Sequence, residues 1–410
     1  MRVAYLSPLP PERSGVADYS ALLLPALGRR LELVLPKRGT TRPPRGTAVS
    51  LYHVGNDPEA HGWIVDALRR RPGVVVLHEL VLHHLVAGVT VGRRDAAGYL
   101  DAMEREAGVV GRMLAHGVLD NRIPPLWETR PEDFPLAGEV LDRARGLIVH
   151  SRYVEERARA GGYEGPIFRI PHPAWAAPPV EPADLGRGPV IGCLGHLNAS
   201  KRLPQLLSAF ARLRERWPTA RLLLAGALAP RFELLSRVER LGLPAGSVLR
   251  EDYVDEARFW SLMAACDVCV SLRAPTMGET SGSALRALSL GRPLVVSDVG
   301  WFSELPDGVA LKIPVDEHET AVLTAALELL VDDDAARRAL GAAGRAHAER
   351  EHDLERVAEL YAAAVELAAG GEAVRDAVLG EVATAAAGVG LTPDAPELAE
   401  LGARLREAGF

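Results

Sequence analysis

Leu272-Arg-Ala-Pro-Thr-Met-Gly-Glu-Thr-Ser-Gly-Ser-Ala-Leu-Arg-Ala-Leu-Ser-Leu-Gly291 decides the fold, because three structural signals follow one another within it and just before it. The apolar run from Val268 to Leu272 reads as a buried strand. A turn containing Gly278 and Gly282 comes next, and a helical pattern begins at about Ser281. Gly291-Arg-Pro-Leu-Val-Val-Ser297 then supplies a returning strand, so the stretch is a βαβ unit of a parallel sheet. The helix start frees backbone N–H groups from about Thr280 to Ser283, a ready site for an anion. Gly282 lets a ligand come close to the backbone, and Glu279 can accept hydrogen bonds from hydroxyls. Thr280 or Ser281 simply capping the helix is the plainer alternative, and this stretch alone leaves both readings open.

The same alternation extends in both directions. Short runs rich in Val, Ile and Leu recur near 190–194, 221–225, 248–250, 268–272, 294–297 and 309–313. In the first half they stand near 2–6, 31–35, 48–52, 73–77, 146–149 and 167–170. Helix-period segments separate them, a long one near 94–116 included, so two parallel sheets are predicted. Ile170-Pro-His-Pro-Ala-Trp-Ala-Ala-Pro-Pro-Val-Glu-Pro182 divides the halves, its prolines disfavouring helix and suiting an extended linker. After Val315 the pattern is mostly helical, and Leu354 to Leu367 has the spacing of a helix that returns to the first domain. Gly390-Leu-Thr-Pro-Asp-Ala-Pro396 breaks the tail into two helices. The predicted division is 1–172, 173–350 and 351–410: two Rossmann-like, doubly wound α/β domains and a C-terminal helical tail. Open sheets of this kind bind ligands outside the carboxyl ends of their strands, so two domains facing across a cleft direct attention to those loops.

Composition narrows the partners. With 410 residues, 48% hydrophobic and 25% charged, the chain has material for two cores and lacks the profile of disorder. A net charge of −7 disfavours general polyanion binding, so nucleic acid is not an expected partner and any anion site is local. No stretch approaches the ~20 apolar residues of a membrane span. The N-terminus runs straight into a strand with no apolar leader, which predicts a cytoplasmic protein with at most peripheral membrane contact. Cys193, Cys266 and Cys269 leave one thiol unpaired in any disulfide scheme, as suits a reducing compartment. Cys266-Asp-Val-Cys269 is expected to be a buried structural pair on opposite faces of a strand. Lys37, Lys201 and Lys312 are the lysines of an arginine-rich chain, which makes each of them informative. Asp332-Asp-Asp334 falls between two helices and reads as capping, and the basic stretch from Arg29 to Arg45 reads as a solvated loop.

Four segments together carry a resemblance. Gly195-His-Leu-Asn-Ala-Ser-Lys-Arg202, Leu222-Leu-Leu-Ala-Gly226, the Gly278-to-Gly282 turn and Gly291-Arg-Pro-Leu-Val-Val-Ser297 are similar, in order and spacing, to the C-terminal domain of glycosyltransferase family 4. Pro10-Pro-Glu-Arg-Ser-Gly-Val-Ala-Asp-Tyr19 and Val74-Val-Val-Leu-His78 resemble first-domain loops of that family, so the likeness spans roughly residues 1–365. It implies the GT-B fold and a retaining transfer from a nucleotide diphosphate sugar to a hydroxyl acceptor, which is a sugar, a lipid-linked group or a small molecule. It implies no metal and no cofactor beyond the donor. Lys201 would meet the leaving diphosphate with Arg202 and the helix N-terminus, Glu279 would orient the sugar, and His78 would touch the sugar from the first domain. His78, Glu279 and Lys201 are thus the expected catalytic residues. Gly15, His196, Asn198, Arg202, Tyr253, Arg273, Gly278, Thr280, Ser281, Gly282, Ser283 and Arg286 are the expected donor-binding set. Two positions depart from the family. His196 replaces an arginine five positions before Lys201, and Ala287 stands eight positions after Glu279, where a second glutamate belongs. Counted back from Gly291, Arg286 fills that slot, so ribose recognition is expected to differ and a bidentate phosphate contact to be available.

His78 closes the apolar run Val74 to Leu77 and so sits at the carboxyl end of a strand, where a cleft residue belongs. A structural histidine is the alternative. A zinc site fails on spacing: the second histidine of an HExxH pair belongs at the place of Leu82, and His83 would not share a helix face with His78. Ser14-Gly15-Val16 lies between a strand and a helix, with Ser14, Asp18 and Tyr19 expected to face the cleft on the acceptor side. Neither GxGxxG nor a P-loop occurs, which disfavours nicotinamide, flavin and P-loop chemistry. A non-catalytic nucleotide-sugar-binding subunit and a nucleotide-sugar epimerase share the architecture; Lys201 with Glu279 favours transfer over both.

Overall fold

The computed structural model describes residues 1–229, 232–392 and 395–407. Among them twelve strands form two six-stranded parallel sheets, as the alternating apolar runs require. The first holds β1 (Arg2–Leu6), β2 (Glu32–Val34), β3 (Val49–Val54), β4 (Gly73–Leu77), β5 (Ala144–Val149) and β6 (Ile167–Arg169), in the order β2-β1-β3-β4-β5-β6. The second holds β7 (Val190–Leu194), β8 (Arg221–Ala225), β9 (Val248–Glu251), β10 (Val268–Ser271), β11 (Leu294–Ser297) and β12 (Leu311–Ile313), in the order β12-β11-β10-β7-β8-β9. This is the GT-B class expected from the sequence, with the helical tail present.

Both faces of the second sheet are covered. Ile191, Leu222, Leu224, Val268 and Val270 enter one core, while Leu194, Leu223, Ala225, Cys269 and Val296 enter the other. Burial on both faces removes the hydrophobic–polar alternation that marks a half-exposed strand, which is why these segments read as continuous apolar runs. Helix starts follow local chemistry: Asp57, Asp255 and Asp333 each cap one by accepting a backbone N–H of the first turn. The long helix Ala96–Leu119 is interrupted at Ala107 and Gly108, whose backbone leaves helical geometry. The tail forms helices Leu354–Gly388 and Pro396–Glu407; Pro393 and Asp394 of the expected break, and the chain after Glu407, lie outside the described residues. Among the described residues no helix is long and apolar enough to cross a membrane.

The chain divides into two compact units. One comprises residues 1–149, 154–170 and 358 onward; the other comprises His150–Tyr153 and Pro171–Val357. The proline-rich segment is extended but is not a free tether. Ala174 donates its N–H to His352 O at 2.8 Å, Ala183 to Ser261 O at 3.0 Å, and Ser261 Oγ donates to Glu181 O at 2.8 Å. Buried histidines line this side of the second unit. The His150 and His172 rings are 5.5 Å apart, those of His347 and His352 are 5.5 Å apart, and His352 Nδ1 lies 2.7 Å from His172 O. The cysteines correct one expectation: Cys266 precedes β10, donating to Leu262 O at 3.2 Å, and packs in the same core as Cys269. Strand alternation therefore does not separate them, and all three thiols are free and buried.

Candidate functional site

In the second sheet β7 lies between β8 and β10, so the β7–β10 carboxyl edge is the topological switch point, where open sheets of this kind bind ligands. The loops leaving β7 and β10 are the two segments, 195–202 and 272–282, that stood out in the sequence. The β7 loop turns at Gly195, with φ +102°, and closes in a short helical turn, Ala199–Lys201. Asn198 Oδ1 accepts from Ser200 Oγ at 2.8 Å. Ser200 in turn ties the loops together, accepting the Ala274 N–H on its carbonyl at 2.9 Å and Arg273 Nη1 on its hydroxyl at 3.2 Å.

Lys201 points inward from this turn. It is 2% exposed, with Nζ 3.4 Å from Ser271 Oγ at the end of β10. Burial first, and then the Arg273 charge, lower its pKa from 10.5 to about 8, against the opposing pull of Cys193 and Glu279. His196 is held toward the neutral form by burial and by the charges of Lys201 and Arg273. Arg273 is itself buried, and its Nε meets Glu279 Oε1 at 2.6 Å. The other Glu279 oxygen accepts from the Met277 N–H at 2.8 Å and Thr276 Oγ1 at 3.3 Å. Gly278 supplies the left-handed φ of +87° that this turn needs. Glu279 thus locks the turn from within, with lone pairs left for a hydroxyl.

The turn delivers Ser281 to the N-cap of helix Gly282–Ser289, where its hydroxyl accepts the Ala284 N–H at 3.3 Å and stands 3.2 Å from Ser283 Oγ. Capping and anion binding are therefore compatible, because the cap leaves the N–H groups of Gly282 and Ser283 without a partner among the described residues. Buried Thr280 Oγ1 likewise has no hydrogen-bond partner among them.

Several expected donor residues are placed otherwise. Arg202 leaves the site: with φ +54° it turns its guanidinium onto Glu319, Nε lying 3.0 and 3.1 Å from the two carboxylate oxygens. Glu319 is 2% exposed, so a buried carboxylate, not a phosphate, is the partner of Arg202. The space beside Gly282 is filled by the indole of Trp175: a Cβ at 282 would stand 3.4 Å from two ring carbons, so no ligand approaches from that side. Arg286 stacks on the same indole, its guanidinium carbon 3.6 Å from the ring centroid, and its Nη1 reaches back beside the helix start, 3.5 Å from where a Cβ on Gly282 would stand. Tyr253, in the loop after β9, is 56% exposed.

In the first unit Ser14 caps helix Gly15–Leu27 by accepting the Ala17 N–H at 3.2 Å, with open space around Gly15 and an exposed Asp18. Tyr19 corrects the expectation. It is fully buried, its hydroxyl 2.5 Å from that of Tyr361, because it occupies the helix position facing the sheet. His78 follows β4 as expected, donating its N–H to Val54 O at 2.9 Å. Its Nε2 lies 3.0 Å from Nδ1 of His53, at the end region of the neighbouring strand β3, and its ring meets Tyr19 edge-on at 4.8 Å. His83 belongs to a separate cluster, 2.9 Å from Tyr99 Oη.

Residues 188–333, which include the Lys201 loop, match the family model for Glycosyl transferases group 1. The matched stretch lies within the second unit. About nine-tenths of the chain has the fold of solved structures at low identity. Alr3699/HepE from Anabaena, determined in complex with UDP-glucose, aligns with TM-score 0.61 and 15% identity over 89% of this chain and 99% of that one. Sucrose-phosphate synthase from Thermosynechococcus elongatus aligns with TM-score 0.57 and 18% identity over 93% and 100%. AviGT4, a glycosyltransferase involved in avilamycin A biosynthesis, gives 0.50 and 18% over 90% and 98%. Comparison with curated proteins gives no match.

Around this site, sequence reading missed Ser200, Ser271 and Trp175, which contact the β10 loop, Lys201 and the helix start. Ser271 had a signal, as a hydroxyl closing an apolar strand. Trp175 had none, because Gly282 and Arg286, on which its ring packs, lie more than a hundred positions away in the chain.

Proposed function

We propose that this chain transfers a sugar, with retention, from a nucleotide diphosphate sugar to a hydroxyl acceptor in the cytoplasm. The carrying observation is the β7–β10 switch point, where buried Lys201 and Arg273 come from the two loops that lead to a helix start with unsatisfied N–H groups. Charge developing on a departing diphosphate would be met there by one ammonium, one guanidinium and the helix N-terminus, all in place before the reaction. That set supplies the counter-charge a divalent ion would otherwise provide, which supports a metal-independent transfer. Glu279, held by Arg273 and the turn, would accept from sugar hydroxyls. The leaving phosphate would take the acceptor proton. His78, its Nε2 3.0 Å from His53 Nδ1, is the first unit's candidate for sugar binding.

The test has two parts. In a thermal-shift panel of nucleoside diphosphates, a ligand at a hundred times its dissociation constant stabilises by about 2.7 kcal/mol, and at least one is expected to do so. A flat panel overturns the nucleotide reading. Lys201→Ala removes one preorganised charge, about 3 kcal/mol of transition-state stabilisation, so turnover of the matching donor falls by about a hundredfold or more. Unchanged turnover removes Lys201 from the site. Chelation with EDTA is expected to leave turnover intact, and loss of activity on chelation overturns metal independence. Conversion of the donor without any acceptor would mark an epimerase, and binding without release of nucleoside diphosphate a non-catalytic subunit.

A further inference from the structure

The Trp175 indole reaches the candidate donor turn from the crossover segment after Pro171, outside every motif of the sequence. Its ring touches two parts of one helix. At the first residue, a Cβ on Gly282 would meet two ring carbons at 3.4 Å and Arg286 Nη1 at 3.5 Å, so alanine just fits and anything larger displaces the ring. One turn further, the Arg286 guanidinium lies 3.6 Å from the ring centroid, with Phe259 at 5.5 Å and Trp260 at 5.9 Å beside it. Glu256 Oε1 is 4.0 Å from Arg286 Nη2 and adds an opposite charge. Stacking of a guanidinium on an indole strengthens as water is excluded, and both Trp175 and Arg286 are 9% exposed.

The segment that carries the ring is anchored in its turn. Ala174 donates to His352 O at 2.8 Å, His352 Nδ1 reaches His172 O at 2.7 Å, and the His172 ring stands 5.6 Å from the indole. A rigid plate held from behind, with one edge on the first residue of a helix and its face on a cation of the next turn, fixes where that helix begins and which way it points.

We propose that Trp175 is a positioning residue for the donor turn: wedged between the anchored crossover segment and the Gly282–Arg286 face, it sets the direction of the N–H groups at 280–283. The role rests on the reading of that turn as the diphosphate site. A displacement of about one ångström at such a site is enough to cost about a hundredfold.

The experiment compares the wild type with Trp175→Leu and Trp175→Phe. Hydrogen exchange is followed in peptides covering 282–290 and, as an internal control, 221–225. Inorganic pyrophosphate affinity is measured by calorimetry at pH 7.5. In Trp175→Leu, exchange in 282–290 is expected to quicken and the pyrophosphate Kd to rise, each by about tenfold or more, with 221–225 unchanged. Trp175→Phe, which keeps an aromatic face, returns both to within about threefold of the wild type. Should Trp175→Leu not fold, Trp175→Met takes its place, keeping apolar volume in the wedge while removing the aromatic plate. Unchanged exchange in 282–290 overturns the proposal, as does equal pyrophosphate affinity in wild type and Trp175→Leu. Pyrophosphate that binds no variant, with the exchange response intact, refutes the donor-site reading and leaves the placement of the helix by Trp175 standing.

Discussion

Lys201 keeps its positive charge at a cost, because it is 2% exposed and shares its surroundings with Arg273. An arriving diphosphate removes that cost by pairing with both, so binding favours the protonated lysine. With the pKa lowered to about 8 in the free protein, affinity for a nucleoside diphosphate is expected to fall as pH rises above that value, by about tenfold or more between pH 7.5 and 9.5. Calorimetry at constant ionic strength measures it, and Lys201→Arg should flatten the dependence because a guanidinium stays charged throughout. A flat wild-type profile would put the ammonium outside the binding step. Stability of the free protein runs the other way. Between about pH 8 and 10.5 the unfolded chain holds the proton that the folded chain has lost, so stability rises with pH through that window. Lys201 was legible because lysine is rare in this chain and its loop spells a family motif. Tyr19 and Gly282 were not, because the Tyr361 hydroxyl and the Trp175 ring that decide their surroundings are remote in sequence.

Strand order turned legible residues into a site. The apolar runs announced the strands, and the Gly278-to-Gly282 turn announced where its helix begins, since backbone conformation and capping are decided within a few neighbouring residues. That β7 and β10 are neighbours, and that their loops are bonded through Ser200, follows from non-local pairing and was not readable. Glu319 shows the same limit, reading as an ordinary acid in the first turn of helix Glu319–Asp332 and proving to be the buried partner of Arg202. The pair is asymmetric, because the Arg202 side chain is 27% exposed while that of Glu319 is 2% exposed. Arg202→Ala strands a buried carboxylate and is expected to cost about 3 kcal/mol, whereas Glu319→Ala lets the arginine swing to water and costs about 1–2 kcal/mol. The double variant should cost less than the sum of the two in urea denaturation. Additive losses would mean that the two side chains stabilise the unit separately.

Two units were expected to divide at the proline-rich segment, with the helix from Leu354 returning to the first; the second unit takes in two separate stretches of chain, His150–Tyr153 and Pro171–Val357. Buried histidines line those stretches: His150 and His172 near their starts, and His347 and His352 just before the chain leaves at Val357. Burial, its largest cause in each case, keeps His172, His347 and His352 toward the neutral form, His352 with a pKa of about 4. Arg286 beside His172 and Arg350 beside His347 push the same way, while Glu351 offers partial relief to His347 and His352. Because folded values lie below the ordinary 6.5, the unfolded chain binds more protons as pH falls through that value. Stability is then lost down to the folded pKa and not regained. For His352 alone the linkage amounts to about 2 kcal/mol between pH 7 and pH 5, with His172 and His347 adding in the same direction. Urea denaturation at the two pH values should show the second unit yielding first in acid. His352→Asn keeps a donor for the His172 carbonyl but cannot take up a proton, so it should recover about 2 kcal/mol of the acid loss without raising stability at pH 7. An equal acid loss in wild type and variant would place the titration elsewhere in the molecule, since no other change in that variant alters the proton balance between pH 5 and 7.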